Sequence, residues 1–202
     1  MLFYNFSVVI VCEKYYLCKK ENMTFDPIIP DSLWSVRYDN CLENAFFQVF
    51  NQWTDPMWLR DFFNENKDDL HAYFKVTNVD STIYETIADA HALQCLILDL
   101  AVESDLNKVF RPLEPSRMSD VLLGKEKAKG EASTHPSWLR IYALKVGEST
   151  YIVTGGAIKL TATMSERKHT LEELKKMEAV RNFLLSEGVV DTEGLIDYLQ
   201  TE

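Results

Sequence analysis

Arg140, Lys159, Arg167, Lys168 and His169 form the most informative polar grouping in the chain. Arginine offers a planar fork of donors to phosphate oxygens and lysine a compact point charge, so these residue types suit a phosphate site. Arg140 and Lys159 fall on expected strands, which hold side chains rigidly. Arg167, Lys168 and His169 sit in SERKHT, just before an expected helix whose first amides also favour anions. Such a site would stabilise the extra negative charge that forms when an RNA 2′-hydroxyl attacks its adjacent phosphate. His169 would move the proton near neutral pH, and no metal or cofactor would be needed. Tyr142 and Trp138 lie on the expected face of Arg140, where they either stack a base or pack in the core. The plainer alternative pairs Arg140 with an acidic helix, leaves Lys159 solvating a strand and makes ERKH a polar loop.

Familiar catalytic patterns are missing from the sequence. There is no GxSxG elbow, HExxH pair, dinucleotide loop or Ser/His/Asp set, and the run Gly124 to Gly130 (GKEKAKG) lacks phosphate-loop spacing. That run reads as a solvated loop or an RNA-contacting one. Cys12, Cys18, Cys41 and Cys95 form no CxxC pair and have no histidine cluster at zinc spacing. Cys41 and Cys95 fall in apolar helical patterns and read as reduced core thiols, in keeping with a cytoplasmic setting. His91 reads as an ordinary helix residue.

A net charge of −10 over 202 residues argues against a generic nucleic-acid binder, because most of the surface would repel phosphate. The charge is uneven. Lys125 to Arg181 carries a net of +4 and the rest of the chain −14, which leaves room for a local anion site.

The elements that must position these residues centre on Trp138 to Thr163, WLRIYALKVGESTYIVTGGAIKLTAT. Leu139, Ile141 and Ala143 are expected on one face of a strand and Trp138, Arg140, Tyr142 and Leu144 on the other. Gly147 to Thr150 supplies a turn, and Gly155-Gly156 a second turn or a bulge. Ile158 and Leu160 alternate with Lys159, Thr161 and Thr163, leaving one polar side. Val109 to Leu113 reads as a further short strand.

Helices are expected on either side of this sheet. Asn40 and Glu43 have capping-box spacing before the stripe Leu42, Ala45, Phe46, Val49 and Phe50, which Trp53 closes. Asp55-Pro56 starts the next helix, interrupted between Asn64 and Asp69. Thr82 and Glu85 mark a third helix with the face Ile83, Ile87, Ala90, Ile97 and Ala101. Thr170 and Glu173 mark a fourth, with Leu171, Leu174, Met177, Val180 and Leu184 inward and Gly188 as its left-handed end. Thr192 to Leu199 reads as a short last helix docked by Leu195, Ile196 and Leu199.

The expected organisation is therefore α+β: an upstream extension over 1–22, a mainly helical region over 23–108, and a sheet-containing region over 109–202 packed with it as one unit. Met1 to Cys12 is apolar but lacks the basic lead and small-residue cleavage site of a signal peptide, and it is too short to span a membrane.

The order VFRPL, WLRIYALKV, turn, YIVTGGAIKLTATM and SERKHTLEEL before a final helix resembles the RelE/ParE-like toxin superfamily, particularly its HigB-like members, over roughly Phe110 to Leu185. The resemblance implies a small twisted antiparallel sheet packed with helices. It also implies an endoribonuclease that cuts ribosome-associated mRNA and is held by a cognate antitoxin, with Arg140 matching the family's strand arginine and Arg167 to Thr170 its basic segment. Lys159 has no counterpart there and rests on the residue argument alone. Gly155-Gly156 stands where many relatives have a histidine-containing strand. Two other readings stay open, a gyrase-directed ParE-like toxin and a non-catalytic protein whose acidic helices bind a partner.

Overall fold

The computed structural model describes residues 23–114, 122–130 and 135–201. The expectations for 1–22 lie outside the described residues. Six strands form one sheet: β1 (Thr24–Ile29), β2 (Leu33–Arg37), β3 (Phe110–Pro112), β4 (Gly124–Lys129), β5 (Leu139–Lys145) and β6 (Tyr151–Ile158). Their spatial order is β1-β2-β6-β5-β4-β3, and β2 runs parallel to β6 while every other neighbouring pair is antiparallel. The helices are α1 (Ala45–Trp53), α2 (Pro56–Glu65), α3 (Lys67–Phe74), α4 (Val79–Val102), α5 (Lys168–Ser186) and α6 (Thr192–Thr201).

An α+β fold with helices packed on a small sheet is what the sequence led us to expect, but the sheet is mixed rather than wholly antiparallel. The helical region over 23–108 also opens with two strands of that same sheet. Pro27 and Pro30 interrupt the apolar alternation between Thr24 and Arg37, which leaves these strands without a clear period-two pattern. The sheet accommodates Pro27 because β1 is an edge strand with an irregular register between Pro27 and Ile29.

Both faces of the central strands are covered. Leu139, Ile141 and Ala143 join Phe46, Phe50, Trp53, Phe63, Leu93 and Ile97 of α1, α2 and α4 in the larger core. Leu144 and Ile152 point to the opposite layer, with Val180 and Leu184 of α5 and Leu195 of α6. Full burial of each such side chain stabilises the fold by about 1.5–3 kcal/mol. Trp138 departs from the expected alternation. It precedes β5, is fully buried among Phe63 and Phe74, and donates its indole N–H to Thr86 Oγ1 at 3.0 Å. Its place is in the core, away from Arg140's face.

The glycine pair sets how closely helices approach β6. Thr154 is an extra residue between the paired Val153 and Gly155, so Gly155-Gly156 follows a bulge within the strand. A Cβ on Gly156 would come within 2.8 Å of both the Arg140 carbonyl oxygen and a Val49 methyl of α1. A Cβ on Gly155 would meet Glu173 of α5 on the other face.

Several helix starts differ from expectation because a better cap lies nearby. Asn44 caps α1 by accepting from the Phe47 amide, so Leu42 lies outside the helix and is exposed. Asn78 caps α4 by accepting from the Ser81 amide, three residues ahead of the expected start. The capping box near α5 belongs to Thr163 and Glu166 of the preceding 3₁₀ turn (Met164–Glu166), whereas Thr170 and Glu173 are buried inside α5. Asp55 caps α2 as expected, accepting from the Met57 and Trp58 amides, and Gly188 follows α5 in the left-handed conformation. Cys95 is exposed on α4, Cys41 is half-buried, and Ile196 is partly exposed rather than docked.

Candidate anion-binding site

Gly124 to Lys129, expected to be a loop, is strand β4, hydrogen-bonded between β3 and β5. Its period-two pattern alternates Lys125, Lys127 and Lys129 on one face with Glu126 and Ala128 on the other. Charged residues are poor strand formers in isolation, and this segment is held by neighbours on both sides. In the β4–β5 ladder Lys129 stands opposite Arg140, and Lys127 opposite Tyr142. In the β5–β6 ladder Arg140 is opposite Ala157 and Tyr142 opposite Gly155. Directly opposed residues share a face, so Lys127, Lys129, Arg140 and Tyr142 project together.

They line a pocket of about 620 Å³ with Lys159, Leu174 of α5, Leu113 and Glu114 after β3, and Ala162, Thr163, Met164 and Ser165 after β6. Helix α5 covers the Leu144 end of this sheet face and leaves the Arg140 end open. Sequence reasoning missed Lys127 and Lys129. The signal for them was the strict K-E-K-A-K alternation between Gly124 and Gly130.

Among the described residues the pocket holds four cations against one carboxylate, that of the exposed Glu114. Among the described residues none of the four forms an ion pair, and Arg140, Lys159 and Lys127 are held by neutral acceptors instead. Arg140 Nη1 donates to the carbonyls of Ser137 and Leu139 at 2.8 and 2.7 Å. Lys159 Nζ donates to the carbonyls of Thr161 and Ala162, both at 2.6 Å. Lys127 Nζ donates to the Leu113 carbonyl at 3.1 Å. Burial lowers the pKa of Arg140. Burial, followed by the nearby charge of Arg140, lowers that of Lys159.

Tyr142 is 1% exposed, and its hydroxyl has no hydrogen-bond partner among the described residues. Burial raises its pKa well above the ordinary phenol value, so the hydroxyl is a neutral donor at physiological pH. An unpaired buried hydroxyl costs free energy, about 1–3 kcal/mol, which a ligand accepting its hydrogen bond would recover.

Arg140, Lys159 and Tyr142 are thus brought together, whereas the basic segment before α5 is turned elsewhere. Arg167 makes a two-pronged pair with Asp69 of α3, Nε to Oδ2 at 2.6 Å and Nη2 to Oδ1 at 2.5 Å. Lys168 is largely exposed and lies 3.6 Å from Glu172. His169 places Nε2 3.0 Å from the Ile158 carbonyl oxygen and sets its ring edge-on to Phe62 of α2. None of the three lines the pocket.

Among the described residues no group of His, Cys, Asp and Glu side chains is arranged to hold a metal ion, and no helix is long and apolar enough to cross a membrane. The chain matches no protein-family model, no curated protein and no solved structure.

Proposed function

We propose that this chain binds an RNA phosphate in the sheet-face pocket and acts as a toxin-type endoribonuclease of the RelE/ParE-like kind on ribosome-associated mRNA. The observation that supports this reading is the convergence of Lys127, Lys129, Arg140 and Lys159 around the unpaired Tyr142 hydroxyl. In an otherwise acidic protein, four cations that form no ion pair among the described residues favour an anion. Lys127, Lys129 and Arg140 are fixed before the ligand arrives by the adjacent strands β4 and β5, and Lys159, one residue past β6 rather than on a strand as expected, by its carbonyl contacts.

In the proposed reaction the RNA 2′-oxygen attacks the adjacent phosphorus, the new O2′–P bond forming as P–O5′ breaks. Arg140 and Lys129 stabilise the doubly charged phosphorane, and Tyr142 donates to one of its oxygens. Lys159 holds a phosphate oxygen as its ammonium, the 2′-hydroxyl proton leaves to solvent water, and O5′ takes a proton from the Lys127 ammonium. The products are a 2′,3′-cyclic phosphate and a 5′-hydroxyl. His169 has no part in this scheme because it faces α2. The ribosome would present the mRNA, and a cognate antitoxin would cover the pocket.

The non-catalytic reading is favoured by the same placement of His169, which leaves the pocket without an imidazole. Purified protein added to translating ribosomes, beside Arg140→Ala, decides between them when RNA ends are mapped. Codon-positioned ends that vanish in the variant support the nuclease. Intact mRNA with folded protein moves the assignment to a binding protein or a gyrase-directed one.

A further inference from the structure

The geometry points to a terminal phosphomonoester, rather than an internal phosphodiester, as the preferred occupant of the pocket. This rests on the reading of the site as one for nucleic-acid phosphate.

Charge is the first reason. An internal diester carries one negative charge, which leaves most of the excess of four cations over Glu114 among the described residues unbalanced. A monoester carries about −1.5 to −2 at neutral pH and balances more of it.

The donor inventory is the second. Arg140 commits Nη1 to backbone carbonyls, leaving Nε and Nη2 for a ligand. Lys159 has one hydrogen left beyond its two carbonyl bonds, Lys127 has two beyond its bond to Leu113, and the Tyr142 hydroxyl has given none. These donors, with Lys129, outnumber what the two non-bridging oxygens of a diester accept. They suit the three terminal oxygens of a monoester.

Access is the third. The walls come from three separate segments, the end of β3, the turn after β6 and Leu174 of α5. An internal diester reaches the open Arg140 end with chain leaving on both sides. A terminal phosphate enters as a chain end, with room in about 620 Å³ for its attached nucleoside.

The test measures binding of the full chain to one single-stranded RNA oligonucleotide, 2′-O-methylated to block cleavage, in three forms: 3′-phosphorylated, 5′-phosphorylated and unphosphorylated. A nucleoside monophosphate is the fourth ligand. Either terminal phosphate should bind about tenfold tighter than the unphosphorylated strand. Lys129→Ala, at an exposed position, and Tyr142→Phe, which removes an unpaired hydroxyl, should each shrink that preference while thermal melting shows both folded. Equal affinity for all three strands overturns the inference and leaves the RNA reading standing. Binding of neither strand class nor the nucleotide overturns both. Nucleoside monophosphate matching the phosphorylated strands, with no binding of the unphosphorylated one, supports the monoester pocket and removes the mRNA-cleaving reading.

Discussion

Glu173 occupies the space that Gly155 leaves empty. A Cβ at position 155 would lie 1.9 Å from Glu173 Oε2, and Glu173 Oε1 accepts from Lys176 Nζ at 2.7 Å. The missing side chain on β6 is therefore what lets α5 lay a carboxylate against the sheet beside Tyr142, the cross-strand partner of Gly155. Gly155→Ala should destabilise the fold by about 1–3 kcal/mol, the range for overpacking a filled site. The double variant Gly155→Ala, Glu173→Ala should recover part of the loss. Urea midpoints of the wild type, both single variants and the double variant measure this coupling, and strict additivity would show that the two residues do not share the site.

Glu126, on the β4 face opposite the pocket lysines, is pushed up to about 6 from 4.5 by burial, against the opposing charges of Lys145, Arg111 and Lys127. A carboxyl with a raised folded-state pKa binds its proton more tightly in the native state than in the unfolded one. Its contribution is fully present below pH 4.5 and is lost as pH rises through about 6. The loss amounts to about 2 kcal/mol. Burial raises Glu173 in the same direction. Glu126→Gln should flatten the fall in stability between pH 4.5 and 7, read by urea unfolding across that window. An unchanged slope would place the titration elsewhere.

Arg167 and His169 are expected to matter for packing rather than for RNA. Arg167→Ala removes the pair with Asp69, and His169→Ala removes the contact with the Ile158 carbonyl and Phe62. Both variants should melt at lower temperature and leave affinity for RNA close to wild type. Arg140→Ala should weaken binding strongly. Loss of RNA affinity in folded His169→Ala equal to that in Arg140→Ala would return the imidazole to the site.

Anion binding should be coupled to proton uptake through Lys159. Its pKa is lowered in the free protein, so at alkaline pH below the ordinary 10.5 part of it is neutral. A bound phosphate favours the ammonium form and draws a proton in. Calorimetric titration in two buffers of different ionisation enthalpy should show proton uptake that grows as pH rises. Lys159→Met should abolish it.

The site was only partly legible in the sequence, for physical reasons that differ by residue. Arg140 and Tyr142 lie two apart on a strand whose apolar partners Leu139, Ile141 and Ala143 alternate with them, so their shared face follows from strand geometry alone. Lys159, expected on a strand by its alternation with Ile158 and Leu160, lies one residue past β6. Arg167, Lys168 and His169 look equally cationic in sequence. Their directions depend on Asp69, Glu172 and Phe62, and Asp69 and Phe62 are about a hundred residues away.

What the sequence determined by itself were features set within a few residues: the Asp55-Pro56 helix start, the Gly188 helix end, the β5 alternation and the apolar stripe of α4. Each depends on local backbone chemistry or on a period of 2 or 3.6. Only the tertiary structure decided that Lys125 to Lys129 is a strand, that β2 runs parallel to β6, and that Lys127 and Lys129 join Arg140 over one pocket. Those outcomes depend on which segments pair across long stretches of chain. A charged segment such as KEKAK becomes a strand when neighbours on both sides supply its hydrogen bonds, and its own side chains carry little of that information.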